Sequence, residues 1–144
     1  MTTQQLALPT SLAAAAGFLP DGWDNDVRKQ LAPGENVLTG VEVDLDTKLR
    51  FTKGVLVVTS HRLLSRAPGE SVWRDWAFRP GLVLRHHDHA GVGHLELVDP
   101  QGLLAGWRFT LGQNLHAIRV ADAFADQIKS VETGQPVPAP EQLT

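Results

Sequence analysis

The chain has 144 residues, a formal net charge of −3 and no cysteine, and hydrophobic residues make up 42% of it. This size and composition suit one domain with a buried core. The lack of cysteine excludes disulfides and cysteine-based zinc sites, and the charge balance gives no general attraction to nucleic acid or anionic lipid. We expect a cytoplasmic protein, because no apolar run approaches the roughly 20 residues of a membrane span and the first residues lack the basic region of a signal peptide.

Residues 1–30 precede the regular pattern of the chain. Residues 1–20 follow no clean period and are interrupted by Gly17 and Pro20. Trp23, Val27 and Leu31 then stand at i, i+4 and i+8, which predicts a short helix with one apolar side. We expect 1–30 to be an N-terminal arm with this short helix, and the sequence leaves open whether the arm is loosely attached or docks on the rest.

Alternation of apolar and polar residues over 37–45 predicts the first strand. Two short apolar runs, 55–59 and 62–65, follow with only Ser60 and His61 between them, and this spacing predicts a tight hairpin. Turns containing glycine or Pro-Gly separate the remaining predicted strands. These strands are 72–78, 82–87, 94–98 and 103–109.

After Thr110 the period becomes helical, which predicts a helix at about 112–132. We assign one apolar face of this helix to the core. That face consists of Leu111, Leu115, Ile118, Ala121, Ala125 and Ile128, with Phe124 and Val131 beside it. The expected fold is α+β: residues 31–132 form a strongly bent antiparallel sheet or barrel of about seven strands, closed by this helix. Residues 133–144 are rich in proline and are expected to be a linker or tail.

The lead-in Ala32-Pro-Gly-Glu35, the string Gly54-Val-Leu-Val-Val-Thr59 and the string Arg62-Leu-Leu64 resemble bacterial PH-like domains. Those domains carry a Pro/Gly-Gly-Glu lead-in and a Gly-x-Leu-x-Val-Thr-x-x-Arg-Leu hairpin. The resemblance covers about residues 31–132 and implies a PH-like fold.

A longer co-linear set of strings is similar to the N-terminal region of bacterial ABC exporters that combine ATPase and permease in one chain and are associated with cyanophycin metabolism. The strings are Val43-Asp-Leu-Asp46, Leu49-Arg-Phe51, Ala67-Pro-Gly-Glu70, Trp73-Arg-Asp-Trp76, Leu84-Arg-His86, Asp88-His-Ala-Gly-Val-Gly93, Leu95-Glu-Leu97 and Trp107-Arg-Phe-Thr-Leu111. The resemblance implies a regulatory or protein-interaction domain on the cytoplasmic side. Its partner would be the membrane and ATPase portions of the transporter in the same chain.

We expect no catalysis by this chain itself and no cofactor, because the phosphate-binding motif Gly-x-x-x-x-Gly-Lys-[Ser/Thr] does not occur in it. The adjacent Ser60 and His61 lack a third group that the spacing would place beside them. The predicted contact surface is an exposed sheet edge or the turn region that includes His86, Asp88, His89, Gly91 and Gly93.

Two other functions remain open. His87 and His89 share one face of a strand, so with His94 they are candidate ligands of a metal ion, and the His86–His89 cluster would then serve a small metal-dependent hydrolase. A polar strand end explains the same residues without a metal, and we expect none. The third function is a membrane-surface module that binds lipid headgroups. Its candidate residues are Lys48, Arg50, Lys53 and Arg62.

Overall fold

The computed structural model describes residues 18–136. The strands are β1 (Val37–Leu45), β2 (Phe51–Thr59), β3 (Arg62–Arg66), β4 (Trp73–Ala77), β5 (Val83–His89), β6 (Val92–Asp99) and β7 (Gly102–Thr110). The helices are α1 (Asp24–Arg28) and α2 (Asn114–Thr133), and a 3₁₀ turn, Leu111–Gln113, leads into α2. The predicted α+β class is confirmed in this coarse form: the described residues contain a seven-stranded antiparallel sheet followed by a C-terminal helix.

The sheet has the order β4-β3-β2-β1-β7-β6-β5, so two meanders, β1–β4 and β5–β7, join where β1 pairs with β7. In a flat sheet β3 and β7 would lie about 14 Å apart, since neighbouring strands are about 4.8 Å apart. Yet Trp107 on β7 donates its indole N–H to the Ser65 hydroxyl on β3 at 2.8 Å. The sheet therefore bends until the inner faces of the two meanders meet and share one core.

Helix α2 closes this core with a different face from the one predicted. Its buried residues are Ala117, Val120, Phe124 and Ile128. The assignment to the core was wrong for the exposed members of the predicted face, and Val131 beside it is exposed too. The exposed members are Leu111, Leu115, Ile118 and Ala125. The helix is apolar on two sides, and Leu115 lies about half a turn from Phe124, since each residue advances about 100°. Contact with the sheet selects the side that carries the phenyl ring.

A second, smaller core lies on the outer side of the sheet. Trp23 directly precedes α1 and Val27 lies within it. Both pack on Val55, Val57 and Leu64 of β2 and β3. Residues 19–31 thereby cover the outer face of β1–β3, which we call the covered face. β2 consequently has apolar residues on both sides, which explains its nearly continuous run of buried positions.

The predicted hairpin over 55–66 and the predicted first strand over 37–45 are confirmed by β1, β2 and β3. The largest difference is in β2, which begins at Phe51 and not at residue 55. In the second meander, β5 and β6 each run two residues closer to their shared turn than predicted. No helix among residues 18–136 is long and apolar enough to cross a membrane. Residues 1–17 of the predicted arm 1–30 and residues 137–144 of the predicted tail 133–144 lie outside the described residues.

Candidate functional site

The outer face of β5–β7 carries a cluster of basic and imidazole side chains, and neither helix covers it. Cross-strand pairing arranges them in rows: Arg108 on β7 pairs with His94 on β6, which pairs with His87 on β5. The next row pairs Glu96 with Arg85, and His89 follows His87 two residues along β5. We call this group the histidine face. It consists of Arg85, His87, His89, His94, Glu96 and Arg108.

The two imidazoles in the central row are stacked. The rings of His87 and His94 are nearly parallel, at 4°, and their centroids are 4.8 Å apart. Burial lowers the pKa of His94, and the neighbouring His87, Arg108 and His89 act in the same direction, while Glu96 opposes them. The His94 ring is therefore neutral near pH 7 and takes up a proton only in more acidic solution or when an anion approaches.

The charges of the face are unevenly paired. Glu96 accepts a hydrogen bond from Arg85 at 3.0 Å and lies 3.5 Å from His87 Nε2. Arg108 makes no ion pair with a carboxylate within residues 18–136. The nearest carboxylate on β1 is Asp44, and both of its oxygens are taken by the backbone N–H and hydroxyl of Thr110. With neutral imidazoles the face thus has a net positive charge in a chain whose formal net charge is −3.

The other residues of the predicted contact region lie apart from this face. His86 points to the opposite side of β5, where its Nε2 is 2.8 Å from Asn114 Oδ1 and its ring stacks on Phe109. Gly93 is buried, and any Cβ there would overlap the Phe109 ring. Gly91 has a φ of 81° and forms the β5–β6 turn. Of the predicted set, only His89 belongs to the histidine face.

The loop between β1 and β2 is a separate exposed feature. Asp46 accepts hydrogen bonds from the backbone N–H groups of Lys48 and Arg50 and from the Arg50 side chain. These bonds lower the pKa of Asp46, and the bond from the Arg50 backbone has the largest effect. They hold Leu49 at a φ of 61°, a conformation that residues with a Cβ rarely adopt. The loop thus presents Leu49 outward between basic residues, and Phe51 beside it is 84% exposed.

Arg62 does not join the cations of that loop. It lies at the opposite end of β2–β3, where its guanidinium binds both Glu35 oxygens, Asp75 and the carbonyl of Gln30. Burial alone would raise the pKa of Glu35. Hydrogen bonds from Arg62, Thr59 and the Ala32 amide, together with the positive charge of Arg62, outweigh this effect and lower the pKa to about 2. This ion pair fastens the lead-in segment to the hairpin.

Neither the Ser60–His61 pair nor the imidazoles form a complete catalytic or metal centre among the described residues. Ser60 Oγ is 2.8 Å from His61 Nδ1 and also accepts the Asn36 backbone N–H, so it stabilises the hairpin turn. Within residues 18–136, no group of three or more His, Cys, Asp or Glu side chains is placed to hold a metal ion. His87 and His94 lie together, whereas a third ligand for them is not in place.

Comparison of the chain with protein-family models, with curated proteins and with solved structures gave no match. The histidine face therefore has to be interpreted from its own chemistry. Sequence reasoning had missed Glu96 and Arg108 as parts of it. The alternation of β6 and β7 places both residues opposite the buried Leu95, Leu97 and Trp107, but only the strand register shows that they flank His94 and His87.

Proposed function

We propose that the chain is a non-catalytic protein-interaction domain whose contact surface is the histidine face and the adjoining edge strand β5. One observation carries the proposal. The sheet has two outer faces, and residues 19–31 cover that of β1–β3. Nothing among residues 18–136 covers the outer face of β5–β7, and its charges are incompletely paired. Exposed charged and imidazole side chains on a rigid sheet favour recognition of a polar partner.

The rest of the proposal extends the resemblance of the sequence to PH-like domains and to the N-terminal region of ABC exporters. The seven strands, their bend and the closing helix are what a PH-like fold requires, and they support that assignment. On this proposal the domain lies at the cytoplasmic face of a membrane and regulates the ATPase and permease portions of a transporter by contact. The phosphate-binding loop that nucleotide binding needs is not among its residues.

The test is site-specific photo-cross-linking in cells that produce the chain. A photoreactive amino acid replaces His89 on the histidine face or Lys29 on the covered half, both of which are exposed. We expect one ABC transporter polypeptide to be cross-linked from His89 and not from Lys29, and we expect Arg108→Glu to abolish the product. Equal cross-linking from both positions, or saturable ATP binding by the isolated chain, would contradict the proposal.

A second function is favoured by the β1–β2 loop. Leu49 and Phe51 are exposed beside Lys48, Arg50 and Lys53, and Val72 is exposed in the β3–β4 connection at the same end of the sheet. Apolar side chains that project among cations suit insertion into an anionic membrane surface. This contact is compatible with attachment to a transporter, since it would orient the domain on the membrane without using the histidine face.

Sedimentation with phosphatidylserine vesicles tests this membrane contact. We expect Phe51→Ser to reduce the vesicle-bound fraction several-fold, because burying an aromatic ring contributes about 1.5–3 kcal/mol. Leu115→Ser, at an exposed apolar position on α2 away from the loop, is the control and should have no effect. Loss of binding in both variants, or in neither, would contradict the proposal that the β1–β2 loop contacts the membrane.

A further inference from the structure

The histidine face combines fixed positive charge with groups that gain charge in mild acid. It carries two guanidinium groups and one carboxylate, a net charge of +1 with neutral imidazoles, and protonation of its three imidazoles raises this to +4. Imidazole side chains change charge between about pH 5 and pH 8. An anionic ligand on this face therefore meets a surface whose attraction grows as protons bind.

The spacing of these groups matches an extended polypeptide. Along β5, Arg85, His87 and His89 point to the same side at intervals of two residues, which is about 6.8 Å in a strand. Carboxylates at every second residue of an extended partner have the same spacing. The face is also built from strand residues, whereas the apolar loop tip that suits a bilayer is formed by Leu49 and Phe51, elsewhere on the molecule.

We propose that the histidine face binds an acidic protein segment in extended conformation, and that binding draws protons onto the face. The inference rests on the proposed function, because it takes this face to be the contact surface, and it adds the chemistry of the partner. Arg108, which lacks a carboxylate partner within residues 18–136, supplies the fixed charge. His94, stacked on His87, supplies charge that depends on pH, and Glu96 opposes binding because it pairs with Arg85 and lies beside His87.

The charged groups around the stacked His87 and His94 rings come from neighbouring strands and affect the charge of the face. Arg85, His87 and His89 face His94 from β5, Glu96 lies on its own strand, and Arg108 faces it from β7. The Asp44 carboxylate on β1 is hydrogen-bonded to Thr110 and forms no ion pair with Arg108 among residues 18–136, but its negative charge still acts on this end of the face. An incoming carboxylate would supply the direct ion pair that Arg108 and a protonated His94 lack among these residues.

Fluorescence anisotropy with a synthetic peptide tests the proposal on the whole 144-residue chain. The probe is an alternating Glu-Thr peptide of about 12 residues, with a Gln-Thr peptide as its neutral control. We expect the affinity for the acidic peptide to rise at least about tenfold from about pH 7.5 to about pH 5.5, because each proton taken up on binding adds up to tenfold per pH unit. Calorimetry in two buffers of different ionisation heat should show net proton uptake.

Substitutions separate the contributions of the imidazoles, Arg108 and Glu96 to peptide binding. The double variant His87→Gln/His94→Gln should keep the affinity at high pH and lose most of its rise in acid, while Arg108→Gln should weaken binding at both pH values. Glu96→Gln should bind more tightly than the parent at high pH, a gain that unfolding cannot mimic. Arg119→Gln and Lys129→Gln, exposed on α2, are matched controls and should change nothing.

Three results would overturn the proposal: an affinity independent of pH, equal losses in the control variants, or binding of phosphatidylserine vesicles that needs the face while the peptide does not bind. If the cross-linked transporter polypeptide is found from His89 but the acidic peptide does not bind, the contact function stands and this inference fails. If neither is found, both fail.

Discussion

The two halves of the sheet use their charged residues differently. In the β1–β4 half, the outer face is covered by residues 19–31, and Arg62 is held by Glu35, Asp75 and a backbone carbonyl. In the β5–β7 half, no part of residues 18–136 covers the outer face, Arg85 forms an exposed ion pair with Glu96, and Arg108 has no carboxylate partner among these residues. The difference teaches that the buried ion pair of Glu35 and Arg62 in the first half supports the fold, while Arg108 in the second half remains available to a partner.

The largest effect should come from the core that both halves share. Ile128→Asp places an unpaired charge among buried apolar groups, at a penalty comparable to the stability of the whole domain. We expect the variant to be unfolded by circular dichroism. Leu115→Asp, on the exposed side of the same helix, should stay folded with a near-parental melting temperature. A cooperatively folded Ile128→Asp protein would contradict the role given to α2.

Breaking one ion pair in each half sharpens the comparison. Arg62→Met leaves Glu35 buried without its partner, and we expect a loss of about 3–5 kcal/mol in the free energy of unfolding. Arg85→Met removes the exposed pair with Glu96, and the expected loss is below about 1 kcal/mol. Urea denaturation measures both. Similar losses in the two variants would mean that the halves do not differ in this way.

Acid should weaken the ion pair of Glu35 and Arg62 and thereby lower the stability of the folded chain. Since its pKa is lowered to about 2 in the folded chain, Glu35 contributes stability that is present above its ordinary pKa of 4.5 and is lost as the pH falls toward 2. The contribution is on the order of 3 kcal/mol, because one pKa unit corresponds to about 1.4 kcal/mol. Unfolding curves between these pH values should show this decline, and Glu35→Gln should be less stable at neutral pH with a flatter profile.

Two glycines of the second half give a smaller contrast between its inner and outer sides. A Cβ on Gly93 would overlap the Phe109 ring in the core, so Gly93→Ala should cost about 1–3 kcal/mol. A Cβ on Gly106, opposite Glu96, would lie 3.9 Å from the Leu95 carbonyl oxygen and 4.0 Å from Glu96 Cγ. Gly106→Ala should therefore be tolerated. Thermal denaturation distinguishes the two, and an equal effect would argue against the assignment of inner and outer faces.

The smallest effect concerns His94. Its pKa is lowered by burial and then by His87 and Arg108, so the unfolded chain binds this proton more readily than the folded chain. Stability should consequently decline as the pH falls below 6.5, the ordinary pKa of the imidazole, and His94→Gln should flatten that part of the profile. A stability profile that rises toward acid in the same range would show that the sign is reversed.

The fold could be predicted further than the site. The period of two over 37–45 and the Ser60-His61 break fixed the first three strands, because alternation and turn spacing are local properties of the chain. The face of α2 could not be read in this way, since Leu115 and Phe124 are both apolar and only contact with the sheet selects between them. The same limit applies to the histidine face, which depends on long-range register between β5, β6 and β7.

The ion pair of Glu35 and Arg62 shows this limit most clearly. Both residues were visible in the sequence, Glu35 in the lead-in string and Arg62 as a candidate lipid contact. Their separation of 27 residues gives no sign of contact, and the pairing appears only when the lead-in segment crosses the end of the hairpin. Charge in a sequence predicts a surface role for an arginine unless the fold supplies a buried carboxylate.

The central claim is that the second half of the sheet, and not the first, is the contact surface. Nuclear magnetic resonance of the isotope-labelled chain, titrated with the alternating Glu-Thr peptide in mild acid, tests it most directly. We predict that the largest shift changes occur at Arg85, His87, His94 and Arg108, with none at Glu35 or Arg62. Changes centred on the covered face or on the β1–β2 loop, with an unperturbed histidine face, would contradict the claim.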